Sequence, residues 1–112
     1  MSNIKDFSSI NNQKDFTRIY KDGAKWFAKN CVIYYEHSED RKFAVIASKK
    51  VGCAVVRNRT KRLMRAIFLR LYPDLISGYY IFVAKKGFSE LCYLELERNI
   101  KWSLRKLGCL KV

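Results

Sequence analysis

The stretch SKKVGCAVVRNRTKRLMRAIF, from Ser48 to Phe68, holds the longest helical pattern in this 112-residue chain. Apolar residues recur at helical spacing after Gly52, which predicts a helix from Val55 to Leu71 that Pro73 ends. Its apolar stripe indicates packing against a sheet. The helix therefore predicts a domain in which helices cover a sheet.

The opposite side of this helix is cationic and has no acidic partner. Between Asp40 and Asp74 the chain holds ten Lys or Arg and no Asp or Glu. A helix that merely keeps a protein soluble usually interleaves both signs, because each i to i+4 pair contributes ~0.2–0.5 kcal/mol. Unpaired cations repel one another until a polyanion binds. We therefore predict a nucleic-acid-binding face, and the solvated helix is the weaker alternative.

The rest of the chain supplies the other elements of a small folded domain. We expect a helix from Asn12 to Gly23, a β-rich run from Trp26 to Tyr35 and a second run, FAVIASK, as its antiparallel neighbour. The run YYIFVAKKG predicts a buried strand, and Ser89 begins a last helix. We predict one RNA-binding domain over residues 1–112, an α+β two-layer sandwich. The elements follow one another along the chain in the order α-β-β-β-α-β-α. The four strands form one sheet, and the helices cover one side of it.

Composition limits the other possibilities. The net charge is +13, and 49% of residues are hydrophobic, enough for a core. No window approaches the ~18 apolar residues of a membrane span, and residues 1–16 lack a signal-peptide pattern, so we expect a cytoplasmic protein without a membrane partner. The four cysteines form no C-x-x-C pair, and we expect small, buried, reduced residues without assigned function.

Several aromatic residues have two interpretations. Phe16 and Tyr20 are one helical turn apart, while Tyr34 and Tyr35 face opposite sides of a strand, so one tyrosine leaves the core side. An exposed ring beside a basic groove can stack unpaired bases, contributing ~1–3 kcal/mol each. From these residues alone, the favoured interpretation is that the rings fill the core.

The sequence offers no set of catalytic groups. A protein nuclease needs clustered carboxylates for metal ions or a pair of histidines. His37 is the only histidine, and the acidic residues are scattered. We therefore predict no catalytic and no metal-binding residue in the protein.

The block from Ser48 to Arg65 resembles the signature of the bacterial ribonuclease P protein subunit. The block joins the motif S-K-K-x-G-x-A-V to the motif R-N-R-x-K-R-x-x-R. The segment Asp15–Gly23 and the IFVAKKG strand also match the family pattern, so the resemblance covers nearly the whole chain. It implies an endonuclease subunit that promotes removal of the 5′ leader from precursor tRNA. It further implies that a catalytic RNA performs the chemistry and binds most of the Mg²⁺, and that the protein alone is monomeric.

The resemblance also implies a left-handed crossover between the parallel strands that flank the R-N-R helix. The residues that it assigns to the RNA subunit are Lys49, Lys50, Arg57, Asn58, Arg59, Lys61, Arg62 and Arg65. Those that it assigns to the leader are Phe16, Tyr20, Tyr34, Phe43, Ile46 and Ser48. A ribosomal or general RNA-chaperone protein is the second hypothesis, and an independent nuclease the third.

Overall fold

The computed structural model describes residues 7–111 and builds them around one sheet. The strands are Ser8–Ser9 (β1), Ala24–Phe27 (β2), Cys31–His37 (β3), Arg41–Ile46 (β4) and Gly78–Ala84 (β5). The helices are Gln13–Asp22 (α1), Ala54–Leu71 (α2) and Tyr93–Lys106 (α3). The spatial order of the strands is β1-β4-β5-β3-β2. Part of residues 1–16, on which the signal-peptide expectation was based, lies outside the described range.

The α+β class is confirmed, but two details of the predicted sheet are wrong. The sheet has five strands instead of four, because the short β1 pairs with the edge of β4. β1 precedes α1 in the chain, so the order of elements begins with a strand. The predicted antiparallel neighbours, β3 and β4, are separated by β5. β5 runs antiparallel to β3 and parallel to β4, and α2 connects the parallel pair.

Local signals explain where the helices begin and end. The Asn12 side chain accepts a hydrogen bond from the Lys14 N–H at 2.8 Å. The Gly23 N–H donates to the Ile19 carbonyl, so the predicted ends of α1 are confirmed. The prediction that Ser89 caps the last helix is wrong. Ser89 lies in a short 3₁₀ turn, and α3 begins only after Cys92.

The main core lies between the sheet and the helices α2 and α3. Met64, Ile67 and Phe68 of α2 are fully buried there. Phe43 of β4 stacks on Phe68, with the ring centroids 3.7 Å apart and the rings nearly parallel. Burial of each such side chain contributes about 1.5–3 kcal/mol, so this face provides most of the hydrophobic stabilisation.

The expectation that helices cover only one side of the sheet is wrong. α1 packs on the opposite face, where Ile19 joins Tyr79 and Ile81 in a second cluster of buried residues. The reason lies in β5, whose apolar residues point to both faces: Tyr80 and Phe82 to the main core, and Tyr79 and Ile81 to α1. A strand that is apolar on both sides needs cover on both sides.

The cysteines divide into two pairs. All four are free thiols; Cys31 and Cys109 are buried as expected, but Cys53 and Cys92 are exposed, so the expectation of burial is wrong for them. Both exposed cysteines directly precede a helix, where the first backbone N–H groups face outward. No helix within residues 7–111 is both long and apolar enough to cross a membrane.

Candidate RNA interface

Five of the six cations of α2, together with Asn58, form an uncompensated surface that we call the arginine face; the sixth cation, Arg70, is paired with Glu97. Its members are Arg57, Asn58, Arg59, Lys61, Arg62 and Arg65. Asn58, Arg59, Arg62 and Arg65 are exposed, while Arg57 and Lys61 are partly buried. No ion pair with an acidic residue in the range 7–111 involves any of them. The helix therefore presents its positive charge to solvent, as the sequence predicts.

One member of this face has a donor that the protein leaves unused. Nε of Arg57 is removed from solvent and has no hydrogen-bond partner. By contrast, Arg70 on the same helix donates from Nε to Glu97 of α3 at 3.2 Å. An unsatisfied buried donor is costly, so any shift that brings Nε of Arg57 to an acceptor stabilises the protein.

The turn between β4 and α2 extends the positive surface toward the sheet. Ser48, Lys49 and Lys50 are exposed there. Gly52 follows with a φ of 151°, and a Cβ atom there would lie 3.1 Å from the Val56 side chain. The backbone N–H groups of Val56 and Val55 lower the pKa of the Cys53 thiol at the start of α2, with a smaller contribution from Arg57.

The other face of the sheet carries what we call the aromatic cleft, defined by Phe16, Tyr20, Tyr34, Ile46 and Val83. Phe16, Tyr34, Ile46 and Val83 pack around the buried residues under α1 and stay half-buried. Tyr20 is exposed beside Phe16 and Tyr34. The ring centroids of Phe16 and Tyr20 are 6.1 Å apart, and those of Tyr20 and Tyr34 are 4.9 Å apart. The structure thus brings four predicted leader residues, these three and Ile46, to one face.

Two of the predicted leader residues lie elsewhere. Phe43 is buried in the main core against Phe68, on the opposite side of the sheet from Ile46, and its assignment to the leader site is wrong. Residues three apart in a strand face opposite sides, so Phe43 and Ile46 cannot share a cleft. Ser48 is exposed in the turn after β4, between the aromatic cleft and the arginine face.

One end of the aromatic face is closed by charged groups. Arg18 of α1 binds Glu36 of β3 at 2.7 Å and Asp15 at 2.8 Å, and its guanidinium carbon lies 5.4 Å from the ring centroid of Tyr79. The Glu36 and Asp15 hydrogen bonds raise the pKa of Arg18, which stays cationic. The accessible part of the face is therefore the other end, toward Val83.

A groove at the β1–β4 edge of the sheet lies beside Arg65 of the arginine face. It has a volume of about 430 Å³, and its walls include Ile10 and Ala44 from the α1 side and Arg65 from the α2 side. The edge of the sheet here is short, because β1 pairs with only two residues of β4.

Sequence reasoning overlooked one aromatic residue on the cleft side of the sheet. Phe27 of β2 is 63% exposed, and Nζ of Lys25 and Nζ of Lys85 lie 5.6 and 5.5 Å from its ring centroid. The available signal was the alternation in β2: Trp26 packs on Trp102 of α3, so the next residue faces the other side.

Within residues 7–111, no three His, Cys, Asp or Glu side chains come close enough together to hold a metal ion. The acidic residues near the interface form ion pairs with cations of the protein: Glu36 and Asp15 with Arg18, and Glu97 with Arg70. The site thus consists of basic, amide and aromatic groups, which bind phosphates and bases.

A sheet with an unpaired arginine-rich helix on one face and an aromatic cleft on the other defines an RNA-binding α+β protein. Comparison with known proteins specifies the family: a sequence model described as Ribonuclease P matches residues 4–108. The chain belongs to the ribonuclease P family, as the protein part of an endoribonuclease, and acts in 5′-end processing of tRNA.

Relatives and solved structures agree with this assignment. The ribonuclease P protein component of a Nitratiruptor species is 37% identical over 82 residues, which cover 73% of this chain and 75% of the relative. That of a Geobacillus species is 33% identical, with 91% of each chain covered. The Staphylococcus aureus RNase P protein superposes with a TM-score of 0.82 at 25% identity, covering 92% of this chain and 97% of the other.

Proposed function

We propose that the arginine face binds the catalytic RNA subunit while the aromatic cleft binds the single-stranded 5′ leader of precursor tRNA. The observation that carries this proposal is the junction at Ser48–Cys53, where the turn after β4 joins the two surfaces. Because Lys49 and Lys50 are exposed in this turn, positive charge continues from one surface to the other. One protein can thereby hold the leader against the RNA subunit.

The arginine face suits a folded RNA. Each guanidinium group can hold a phosphate through two hydrogen bonds, and no described acidic residue competes for these cations. Together with Lys49 and Lys50, these residues form the surface that we assign to the RNA subunit.

The aromatic cleft suits an unpaired strand. Tyr20 is 40% exposed, and it is held against Tyr34 before any ligand binds, so its ring needs little reordering to stack a base. A base in a duplex has its faces covered, so this cleft selects the leader over the paired acceptor stem. Ile46 forms part of the apolar floor, and Ser48 can hydrogen-bond to the strand where the cleft meets the turn.

The chemistry of cleavage is assigned to the RNA. Mg²⁺ bound mainly by the RNA subunit would activate the attacking water, while the cations of the protein reduce the repulsion between leader and RNA. We propose that the protein is a monomer before assembly and acts in the cytoplasm, where precursor tRNA is made.

Reconstitution with a bacterial ribonuclease P RNA tests the proposal. We expect the protein to increase the rate of leader removal at low Mg²⁺, and to increase affinity for precursor tRNA more than for mature tRNA. A polylysine of equal positive charge is the control, because it can neutralise phosphates but cannot recognise a leader. Equal stimulation by polylysine, or none by the folded protein, would contradict the proposal.

A further inference from the structure

We propose that Phe27 is an additional stacking position for the single strand, on the β2 side of the aromatic cleft. The inference rests on the proposed function, because it extends the path of the leader. It assigns a binding role to a residue on the outermost strand of the sheet. The ligand is an unpaired nucleotide of RNA.

Strand register places Phe27 on the correct face. Lys25 pairs with Tyr34 and Phe27 pairs with Val32 across β2 and β3. Directly paired residues share a face of the sheet, so Phe27 and Tyr34 are diagonal neighbours about 7–8 Å apart. Successive nucleotides of an extended strand can cover this distance. The rings of Phe16, Tyr20, Tyr34 and Phe27 therefore form one series from α1 to the sheet edge.

The fold itself makes little use of the Phe27 ring. It is 63% exposed, whereas the neighbouring Trp26 anchors β2 to α3 through Trp102, with the ring centroids 5.5 Å apart. A single exposed apolar residue is ordinary on a protein surface. Here, however, the exposed ring continues an aromatic series and also has two cations beside it.

The charges around Phe27 fit a nucleotide. Nζ of Lys25 and Nζ of Lys85 approach the ring from β2 and from the end of β5, and neither lysine forms an ion pair with a described acidic residue. An exposed contact between an ammonium group and a ring contributes only ~0.5–1 kcal/mol, so a base can displace it. The two ammonium groups can then bind the flanking phosphates.

The experiment measures affinity as a function of strand length. Single-stranded RNAs that grow by one nucleotide at a time are titrated with the full-length protein, and precursor tRNAs with the same leaders are titrated with the reconstituted holoenzyme. We expect Phe27→Ala to bind the shortest strands normally and the longest at least about fivefold more weakly. Phe27→Trp should retain full affinity, and Phe27→Leu should behave like alanine because stacking needs an aromatic ring.

Two further sets of variants complete the test. Lys25→Ala and Lys85→Ala should each reduce the salt slope for long strands by about 0.7. Leu94→Ala is the matched control, since Leu94 is 68% exposed on α3, and it should change nothing at any length. Thermal unfolding verifies that each variant is folded.

The outcomes separate this inference from the proposed function. If the wild-type protein does not stimulate leader removal, the proposed function fails. If it does, and Tyr34→Ala weakens leader binding while Phe27→Ala binds long strands like wild type, only the Phe27 position is overturned. An equal loss at every length, or full affinity in Phe27→Leu, also overturns it.

Discussion

The ring of Tyr20 meets the ring of Tyr34 edge-on, with 4.9 Å between the centroids and 68° between the planes. This contact connects α1 to β3 across the aromatic cleft. Partial burial raises the pKa of Tyr20, so its phenol stays neutral and can donate a hydrogen bond. Under the proposed function, the leader would meet rings whose positions are set by the fold.

Replacement of Tyr34 tests whether the aromatic cleft selects the leader. Tyr34→Ala should reduce the preference for precursor over mature tRNA by about 5- to 150-fold, because a stacked base contributes ~1–3 kcal/mol. Tyr34→Phe keeps the ring and should keep the preference. The measurement is the ratio of the two dissociation constants for the holoenzyme. An equal loss of both affinities would contradict the cleft assignment.

Replacement of Arg62 tests the arginine face. Arg62→Ala should weaken binding to the RNA subunit and reduce the slope of log affinity against log salt by about one unit, since one phosphate contact is lost. The matched control is Arg70→Ala, on the same helix but already bound to Glu97. Binding of the RNA subunit by Arg70→Ala should show the wild-type slope. An unchanged slope in Arg62→Ala would place the RNA on another surface.

Replacement of Phe43 separates a core role from a binding role. Because Phe43 stacks on Phe68 in the main core, Phe43→Ala should lower the free energy of unfolding by about 3–5 kcal/mol. Urea unfolding gives this value. Phe43→Leu, which fills more of the space, should fold and retain the preference for precursor tRNA. A folded Phe43→Leu protein without that preference would restore Phe43 to the leader site.

The error over Phe43 shows what a resemblance alone leaves undecided. Tyr34 and Ile46 lie on the cleft side of the sheet, but Phe43 is three residues from Ile46 in the same strand, and alternation of side chains puts it on the opposite face. This error could have been found from the sequence once β4 was accepted as regular.

Strand order, by contrast, was beyond the sequence pattern. The run that forms β5 is apolar on both faces, which predicts burial but does not specify its neighbours. β1 has two residues, Ser8 and Ser9, too few for any periodic signal, and it exists because β4 has an open edge. The ends of α2 were predictable, because Gly52 and Pro73 mark them chemically.

The exposed thiol at the start of α2 gives a chemical probe of the RNA interface. The thiolate of Cys53 is the form that reacts with iodoacetamide. The Val56 and Val55 N–H groups lower the pKa of Cys53. The alkylation rate should therefore reach half its maximum at a lower pH than for an ordinary thiol. Burial raises the pKa of Cys31 to about 12 and that of Cys109 to about 11, so both should react only on unfolding.

Measured in a Cys92→Ser background, alkylation of Cys53 should slow when the RNA subunit binds, because Arg57 lies one helical turn from Cys53. A rate unaffected by saturating RNA would mean that the first turn of α2 stays open to solvent in the complex, and the arginine face would then have to begin beyond Arg57.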